Sequence, residues 1–563
     1  MTRTQDNNEH KNALAKQSAL SEVIFQHDLA ATHVAYDSHG HLLLIGPEDL
    51  VRLAACQLKE MASLTLLISE PVQAADQSGL EEALEKTQAL PTFFSKLLSV
   101  GGYMGQFNVL VEVDGAPAEL SQLALKRTSF DLILDLGRSA FLQSELLPAG
   151  YFHIAPNASH LGELLTELPG YLGTFEKPKY FSVNNDICAH SSRGQTGCTR
   201  CLDVCPADAI KSIKQLITID PYLCHGAGGC TTACPTGAIH YMMPKPAYLI
   251  DYLSRLLNSY RLAGGQQPVF LFHDHQEGKS AISAWADKLP SNIIPIELEE
   301  LAAAGMEIWL GTLAMGASHL VLLDTAQIPE SMKQLLNEQV QLAHTILHGL
   351  QQDTRRLTLI SPDDLHTLTE LNEVLSYYQD SPAYPLTPQT AKRDTLFAAI
   401  DFLAKHVESP SETITMPANA PFGEVMLDTD RCTLCMSCVA VCPTSALTDG
   451  GDKPAIKFTE QSCVQCSLCK NSCPENAISL RPRLLLTEQR NAQQILLSEE
   501  PFNCISCGKG FAPERTVNKM IEKLSEHRFF QGEALNRLKM CEDCRVRDIF
   551  SDLSSHPEKQ LEL

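Results

Sequence analysis

Four times along the chain a cysteine is followed by proline and, three residues further on, by alanine and an aliphatic residue. The segments are Cys205-Pro-Ala-Asp-Ala-Ile, Cys234-Pro-Thr-Gly-Ala-Ile, Cys442-Pro-Thr-Ser-Ala-Leu and Cys473-Pro-Glu-Asn-Ala-Ile. Each closes a run of the form C-x2-C-x2-C-x3-C-P, or an altered copy of it. In such a run three thiolates from one short loop hold three corners of an iron–sulfur cube, and the fourth cysteine ligates the other cluster of a two-cluster module. The proline is expected to start a helix where no backbone donor is needed. Two such modules imply a chain that handles electrons.

The C-terminal pair is complete. Its runs are Cys432, Cys435, Cys438, Cys442 and Cys463, Cys466, Cys469, Cys473. Cross-ligation predicts one [4Fe-4S] cube on Cys432, Cys435, Cys438 and Cys473, and a second on Cys463, Cys466, Cys469 and Cys442. Zinc is the rival occupant, but a zinc site uses paired C-x2-C knuckles and has no need of the third in-phase cysteine.

The N-terminal pair is altered twice. Cys198, Cys201 and Cys205 fill the last three places of the first run, and Gln195 stands in the first. Cys188, displaced upstream by an inserted His190-Ser-Ser-Arg-Gly-Gln loop, is the expected replacement, so Cys188, Cys198, Cys201 and Cys234 predict a third cube. The second run reads Cys224-His-Gly-Ala-Gly-Gly-Cys230, with Ala227 where its second cysteine belongs. Cys205, Cys224 and Cys230 remain. That site can hold a [3Fe-4S] cluster, an open-corner [4Fe-4S] cluster whose fourth iron sits on water or a side chain such as His225, or nothing. Three in-phase thiolates favour the first two.

A different pattern closes the chain. Cys504-Ile-Ser-Cys507-Gly and Cys541-Glu-Asp-Cys544 are paired C-x2-C knuckles, the frame of a tetrahedral structural zinc site. A single iron in the same four-sulfur cage is the rival, and the polar surroundings favour zinc. Of the 20 cysteines only Cys56 stands outside these runs, in the apolar helical stretch Val51-Arg-Leu-Ala-Ala-Cys, where a small hydrophobe suffices.

With 563 residues the chain should contain several domains. Free thiolates in this number need a reducing compartment, and residues 1–20 are polar, with no leader pattern, so a cytoplasmic location is expected. The stretch 301–323 is the most membrane-like, but Glu307, His319 and its glycines make it a helix running into a buried strand rather than a membrane span. A net charge of −23 argues against nucleic acid and acidic membrane surfaces.

Two cysteine-poor regions must position these loops. Continuous aliphatic runs at 41–45, 64–69, 107–113 and 131–136, with helical stretches at 47–61 and 118–126, predict a mostly parallel sheet covered on both faces. Runs near 269–272, 293–297, 319–323 and 357–360 predict a second. The fold class is therefore α/β plus α+β: two mostly parallel α/β domains alternating with two ferredoxin-like dicluster modules, then the zinc-knuckle segment. The expected boundaries are 1–180 (α/β), 181–246 (altered dicluster), 247–415 (α/β), 416–485 (complete dicluster) and 486–563 (zinc segment). Neither α/β region shows the G-x-G-x-x-G or lysine-bearing loop that cradles a phosphate. His273 and His275 follow a strand where open sheets bind ligands, but a neighbouring pair of histidines is more often merely solvated.

The segments Phe175-Glu-Lys-Pro-Lys-Tyr-Phe, Cys188-Ala-His, Gly197-Cys-Thr-Arg-Cys-Leu-Asp-Val-Cys-Pro and Arg537-Leu-Lys-Met-Cys-Glu-Asp-Cys-Arg resemble the large ferredoxin-type proteins associated with bacterial formate dehydrogenases. The resemblance runs from about Asp131 to the C-terminus and is specific in the cysteine-bearing parts. It implies a cytoplasmic multi-cluster protein linked to a molybdenum or tungsten formate dehydrogenase. The middle region is faintly similar, at Phe270-Leu-Phe and Gly316-Ala-Ser-His-Leu-Val-Leu-Leu, to the small delta-subunit domain of methyl-viologen-reducing hydrogenases. That domain's cluster-binding cysteines are absent, and no two-iron cluster is expected there. Two functions stay open: a relay passing single electrons between the dehydrogenase and another redox partner, and an accessory factor that supports the dehydrogenase's maturation. The complete eight-cysteine module favours the relay, and no constellation for independent catalysis is visible.

Overall fold

The computed structural model describes residues 3–26, 32–71, 80–156, 158–192, 194–369, 384, 386, 391–407, 411–451 and 453–555. Two parallel sheets form its frame. The first has the strand order Thr92–Phe93, Ser63–Glu70, His41–Pro47, Leu132–Asp135, Tyr151–His153, every neighbour parallel. Its central strand is buried from Leu42 to Gly46 because both faces are covered. The helices Glu48–Gln57 and Leu161–Glu167 cover one face.

The other face departs from expectation. The run 107–113 does not enter the parallel sheet. Asn108–Val113 is the middle strand of an antiparallel sheet with Leu97–Gly101 and Ala116–Glu119. Phe107, Val109 and Val111 face Leu43, Ile45 and Ile133 of the parallel sheet. The cause is local. Asp114 and Gly115 both take left-handed φ angles, 51° and 79°, the two-residue turn that folds a strand straight back on itself. The strand then buries alternate residues, as a one-sided sheet does.

The second sheet has the order Ile293–Leu298, Val269–Asp274, His319–Leu323, Leu357–Ile360, again all parallel, on the four expected runs. The stretch 301–323 resolves into the helix Met306–Ala314 and the strand His319–Leu323. Among the described residues no helix is long and apolar enough to cross a membrane. The first helix, Arg3–Glu22, packs on Pro246–Leu262 beside this second sheet rather than on the sheet that follows it in sequence. Ala15, Ala19 and Val23 enter the core with Trp309, and Lys16 Nζ donates to the Ile293 carbonyl at 3.2 Å.

Both cysteine-rich stretches build one pattern of two short helices and paired strands. Downstream, Gly423–Leu427 pairs with Ile478–Leu485 and Leu447–Asp449 with Ala455–Phe458, around the helices Ser437–Ala440 and Leu468–Asn471. Upstream, Phe181–Val183 pairs with Ile239–Tyr241 and Ile210–Ile213 with Leu216–Ile219, around Arg200–Asp203 and Gly229–Ala233. The insert after Cys188 forms its own hairpin, Ser191–Ser192 on Gln195–Thr196, with Arg193 outside the described residues. The tail is a hairpin, Pro501–Asn503 with Gly510–Pro513, followed by the helices Glu514–Leu524, Glu533–Arg537 and Glu542–Ser555.

The chain's two tryptophans, Trp285 and Trp309, both belong to the second sheet's region, so their fluorescence reports on it. Ala19→Asp puts an unpaired carboxylate into that core at a cost of about 3 kcal/mol. It should lower the tryptophan-detected unfolding midpoint, whereas Leu14→Asp, at a position 53% exposed, should not. Equal midpoints for the two variants would contradict this packing.

Candidate metal centres

The four Cys-Pro turns share one backbone feature. The residue before the alanine is left-handed each time: Asp208 at 49°, Gly237 at 74°, Ser445 at 53° and Asn476 at 49°. Glycine and small polar residues tolerate that conformation best. The alanines that follow, Ala209, Ala238, Ala446 and Ala477, are at most 3% exposed. This corrects the expected helix start. The helices Arg200–Asp203, Gly229–Ala233, Ser437–Ala440 and Leu468–Asn471 precede the Cys-Pro steps, which end them, and a left-handed residue then turns the chain into a strand.

Left-handed residues also shape the ligand loops. Leu434 and Met436 lie between Cys432 and Cys438, and Gln465 and Ser467 between Cys463 and Cys469, with φ from 55° to 67°. The loops aim donors at sulfur: Leu434 N–H lies 3.4 Å from Cys432 Sγ, Gln465 Nε2 3.3 Å from Cys463 Sγ and Ala477 N–H 3.3 Å from Cys473 Sγ. Such donors favour the thiolate form. In the Ala227 run, Gly226 and Gly228 take φ of 88° and 83° at the places of Gln465 and Ser467. The loop keeps its shape around the missing cysteine.

The thiols gather in sets whose members act on one another's charge. Cys188, Cys198, Cys201 and Cys234 form one. Cys205, Cys224 and Cys230 form another. Cys432, Cys435, Cys438 and Cys473 lie together, as do Cys442, Cys463, Cys466 and Cys469. Neighbouring sets also meet: Cys230 senses Cys201 and Cys234, Cys466 senses Cys198, and Cys469 senses Cys438. The four sets thus stand in a row across both modules. Burial, then nearby thiolates, raise Cys201 and Cys438 to about 12. Burial likewise raises Cys224 and Cys466 to about 11. Thiols this reluctant to ionise become thiolates when a metal supplies the opposing charge.

Space is left beside the thiols at two of the sites. An unfilled space lies among Cys432, Cys435, Cys438 and Cys473. A similar one lies among Cys205, Cys224, Ala227 and Cys230, so the altered site has not closed up. Cys188 reaches Cys198 through the inserted hairpin, where Cys198 N–H donates to the Ala189 carbonyl at 2.9 Å. His190 braces the insert, one ring nitrogen 2.9 Å from the Cys198 carbonyl and the other 2.8 Å from Ser212 Oγ.

The tail cysteines are spaced differently. The sulfurs of Cys504, Cys507, Cys541 and Cys544 all lie within 4.8 Å of one another, and Cys507 and Cys541 are 3.7 Å apart. Metal–sulfur bonds of about 2.3 Å give a tetrahedral edge of about 3.8 Å, so the cage fits a single ion. Burial opposes the Cys504 thiolate, but the amides of Cys541, Cys507 and Ser506 outweigh it and bring its pKa to about 6.

Two residues that sequence reasoning missed tie the modules together. They open the helix Lys392–Lys405. Lys392 Nζ donates to the carbonyls of Thr231, Thr232 and Cys234 at 2.7, 3.0 and 3.1 Å. Arg393 donates to Gln461, Pro421 and Cys463 at 2.8, 2.9 and 2.8 Å, with its guanidinium over Phe397 and Phe422. Nothing in Thr390-Ala-Lys-Arg-Asp distinguishes them from a solvated charge pair. Elsewhere, His273 is buried with a ring nitrogen 2.8 Å from the Asp274 carbonyl, His275 is exposed, and Cys56 is half-buried.

Residues 425–448 and 460–476 match two families, each described as a 4Fe-4S binding domain. The chain carries ferredoxin-type iron–sulfur domains. No curated protein matches it.

Arg393→Ala should strip three loop carbonyls of their donors and destabilise the downstream module by roughly 2–4 kcal/mol. Arg393→Lys should recover little, because an ammonium cannot reproduce the planar fork. Denaturant titration followed by cluster absorbance measures this, and full rescue by lysine would refute the role of the fork.

Proposed function

We propose that the chain is a multi-cluster electron-transfer protein that relays single electrons to or from a formate dehydrogenase. Cys188, Cys198, Cys201 and Cys234 would hold one [4Fe-4S] cluster. Cys432, Cys435, Cys438 and Cys473 would hold a second, and Cys442, Cys463, Cys466 and Cys469 a third. Cys205, Cys224 and Cys230 would hold a further cluster of three or four irons, and the tail cage a zinc ion. Iron–sulfur clusters supply one-electron uptake and release when bound.

The observation that carries this proposal is the row itself. Cys198 of the upstream module and Cys466 of the downstream one are close enough to act on each other's charge. Two modules docked for support alone would not need their sulfur sets to meet. Lys177, whose pKa burial lowers to about 8, donates to the Cys224 carbonyl at 2.8 Å, and Arg393 donates to that of Cys463. Cations at these places favour thiolates and, with them, bound clusters. The dehydrogenase as partner is supported by the resemblance of the segments around Phe175, Cys198 and Cys541 alone.

Anaerobically purified protein should contain roughly fifteen to sixteen irons with matching sulfide and about one zinc. Cys541→Ser should lose the zinc and keep the iron. Dithionite titration followed by EPR should reveal at least three reducible centres; fewer would refute the relay. Anaerobic affinity capture from native extract should retain formate dehydrogenase activity, and a capture that retains none would remove that partner.

A further inference from the structure

We propose that His225 supplies, through Nε2, the ligand that Ala227 cannot, so that the Cys205–Cys224–Cys230 site holds a four-iron cluster on three sulfurs and one nitrogen. The proposal rests on that site holding a cluster at all.

The loop is built for four ligands. Ala227 stands where the complete run has Cys466, between left-handed residues at the same two places, and the cavity beside it is as roomy as that of the complete Cys432 site. A site that had lost its function would be expected to close over with side chain, since unfilled space among apolar groups costs packing energy. Instead Gly226, Gly228 and Gly229 line it. These glycines also admit their neighbours. A Cβ on Gly226 would fall 2.8 Å from the Tyr180 ring, and one on Gly228 2.4 Å from the Ala303 nitrogen.

Apart from the three cysteines, the side chains lining this cavity are hydrocarbon except for His225 and Met332. Nε2 of His225 is buried and has no hydrogen-bond partner among the described residues. A buried ring nitrogen left unpartnered is costly, and a metal ion beside it removes the cost. The ring also interacts with the backbone at Leu147. Metal-bound imidazoles are commonly oriented by a backbone or carboxylate partner of this kind. Imidazole is an established ligand to cluster iron and raises the potential relative to thiolate. Met332, by contrast, lies with its sulfur against Gly229, and a thioether is the weaker donor.

The test uses the full chain, purified without oxygen and grown with either ordinary or ¹⁵N-labelled histidine. Pulsed EPR of the reduced protein should show a nitrogen coupling that changes with the isotope. It should vanish in His225→Ala with loss of about one iron and appearance of a three-iron signal on oxidation, the other centres being unchanged. Ala227→Cys should abolish the coupling and keep the iron, which tests the assignment even if His225→Ala folds poorly. Met332→Leu should leave it intact. A three-iron signal in the unmodified protein, a coupling that survives His225→Ala, or iron lost in Met332→Leu instead would each overturn the histidine ligand while leaving the cluster. An iron content near twelve that Cys224→Ser does not lower would overturn both.

Discussion

Lys392 and Arg393, adjacent on one helix, are the contact on which the arrangement of the sulfur sets depends. Successive side chains on a helix diverge by about 100°, so neighbouring cations necessarily point to different sides. Here one side is the upstream module and the other the downstream one. Each cation ends on three carbonyls, including that of a cysteine in the set it faces: Cys234 for Lys392 and Cys463 for Arg393. The two sets these cysteines belong to are the ones that meet at Cys198 and Cys466. A chain with a net charge of −23 gathers thiols in dry surroundings, where each further negative charge is costly. At the junction Arg393 offsets part of that cost beside Cys463, while Lys392 is also paired with Glu307 Oε2 at 3.6 Å, and the two half-buried cations fix the spacing together.

The same helix belongs to the core of the second sheet. Phe397, Ala399 and Ile400 pack with Trp309 and Leu313, and the core continues into Ala233 upstream and Phe422 and Leu484 downstream. Gly197 presses so closely on the neighbouring module that a Cβ there would lie 2.7 Å from Leu468 Cγ. The second sheet thus serves as the platform on which two small modules are held. Modules of this size bury too little apolar surface to hold a fixed orientation unaided.

What the sequence revealed follows from which interactions are local. Strands buried on both faces are apolar along most of their length, so Val269–Asp274 and His319–Leu323 stand out without long-range information. The cysteine runs do too, because ligand spacing is set by one loop. The strand Asn108–Val113 lies in an antiparallel sheet rather than in the expected parallel one, and the local cue is the Asp114-Gly115 turn. The position of Arg3–Glu22 had no such cue. That helix is polar apart from Ala15, Ala19 and a few neighbours, and its partners, Pro246–Leu262 and Ile293, lie more than two hundred residues away. Lys392 and Arg393 were hidden for the same reason, since backbone carbonyls of distant loops leave no trace in composition.

The two alterations of the upstream module are physically unlike, and the difference bears on what each does. In the first run the sulfur has moved and the backbone has been rebuilt: an inserted hairpin carries Cys188 beside Cys198, and His190 spends both ring nitrogens holding it there. That change conserves the number of thiols. In the second run the backbone has been kept and the sulfur removed, with Gly226 and Gly228 holding the turn that Gln465 and Ser467 hold in the complete copy. Glycine loses more freedom on folding than any other residue, and here that cost is offset in part by the close approach of Tyr180 to Gly226 and of Ala303 to Gly228. The shape also has a consequence at the thiols. It keeps one position around the Cys205, Cys224 and Cys230 thiols free of sulfur, and a buried imidazole nitrogen lies at the same cavity.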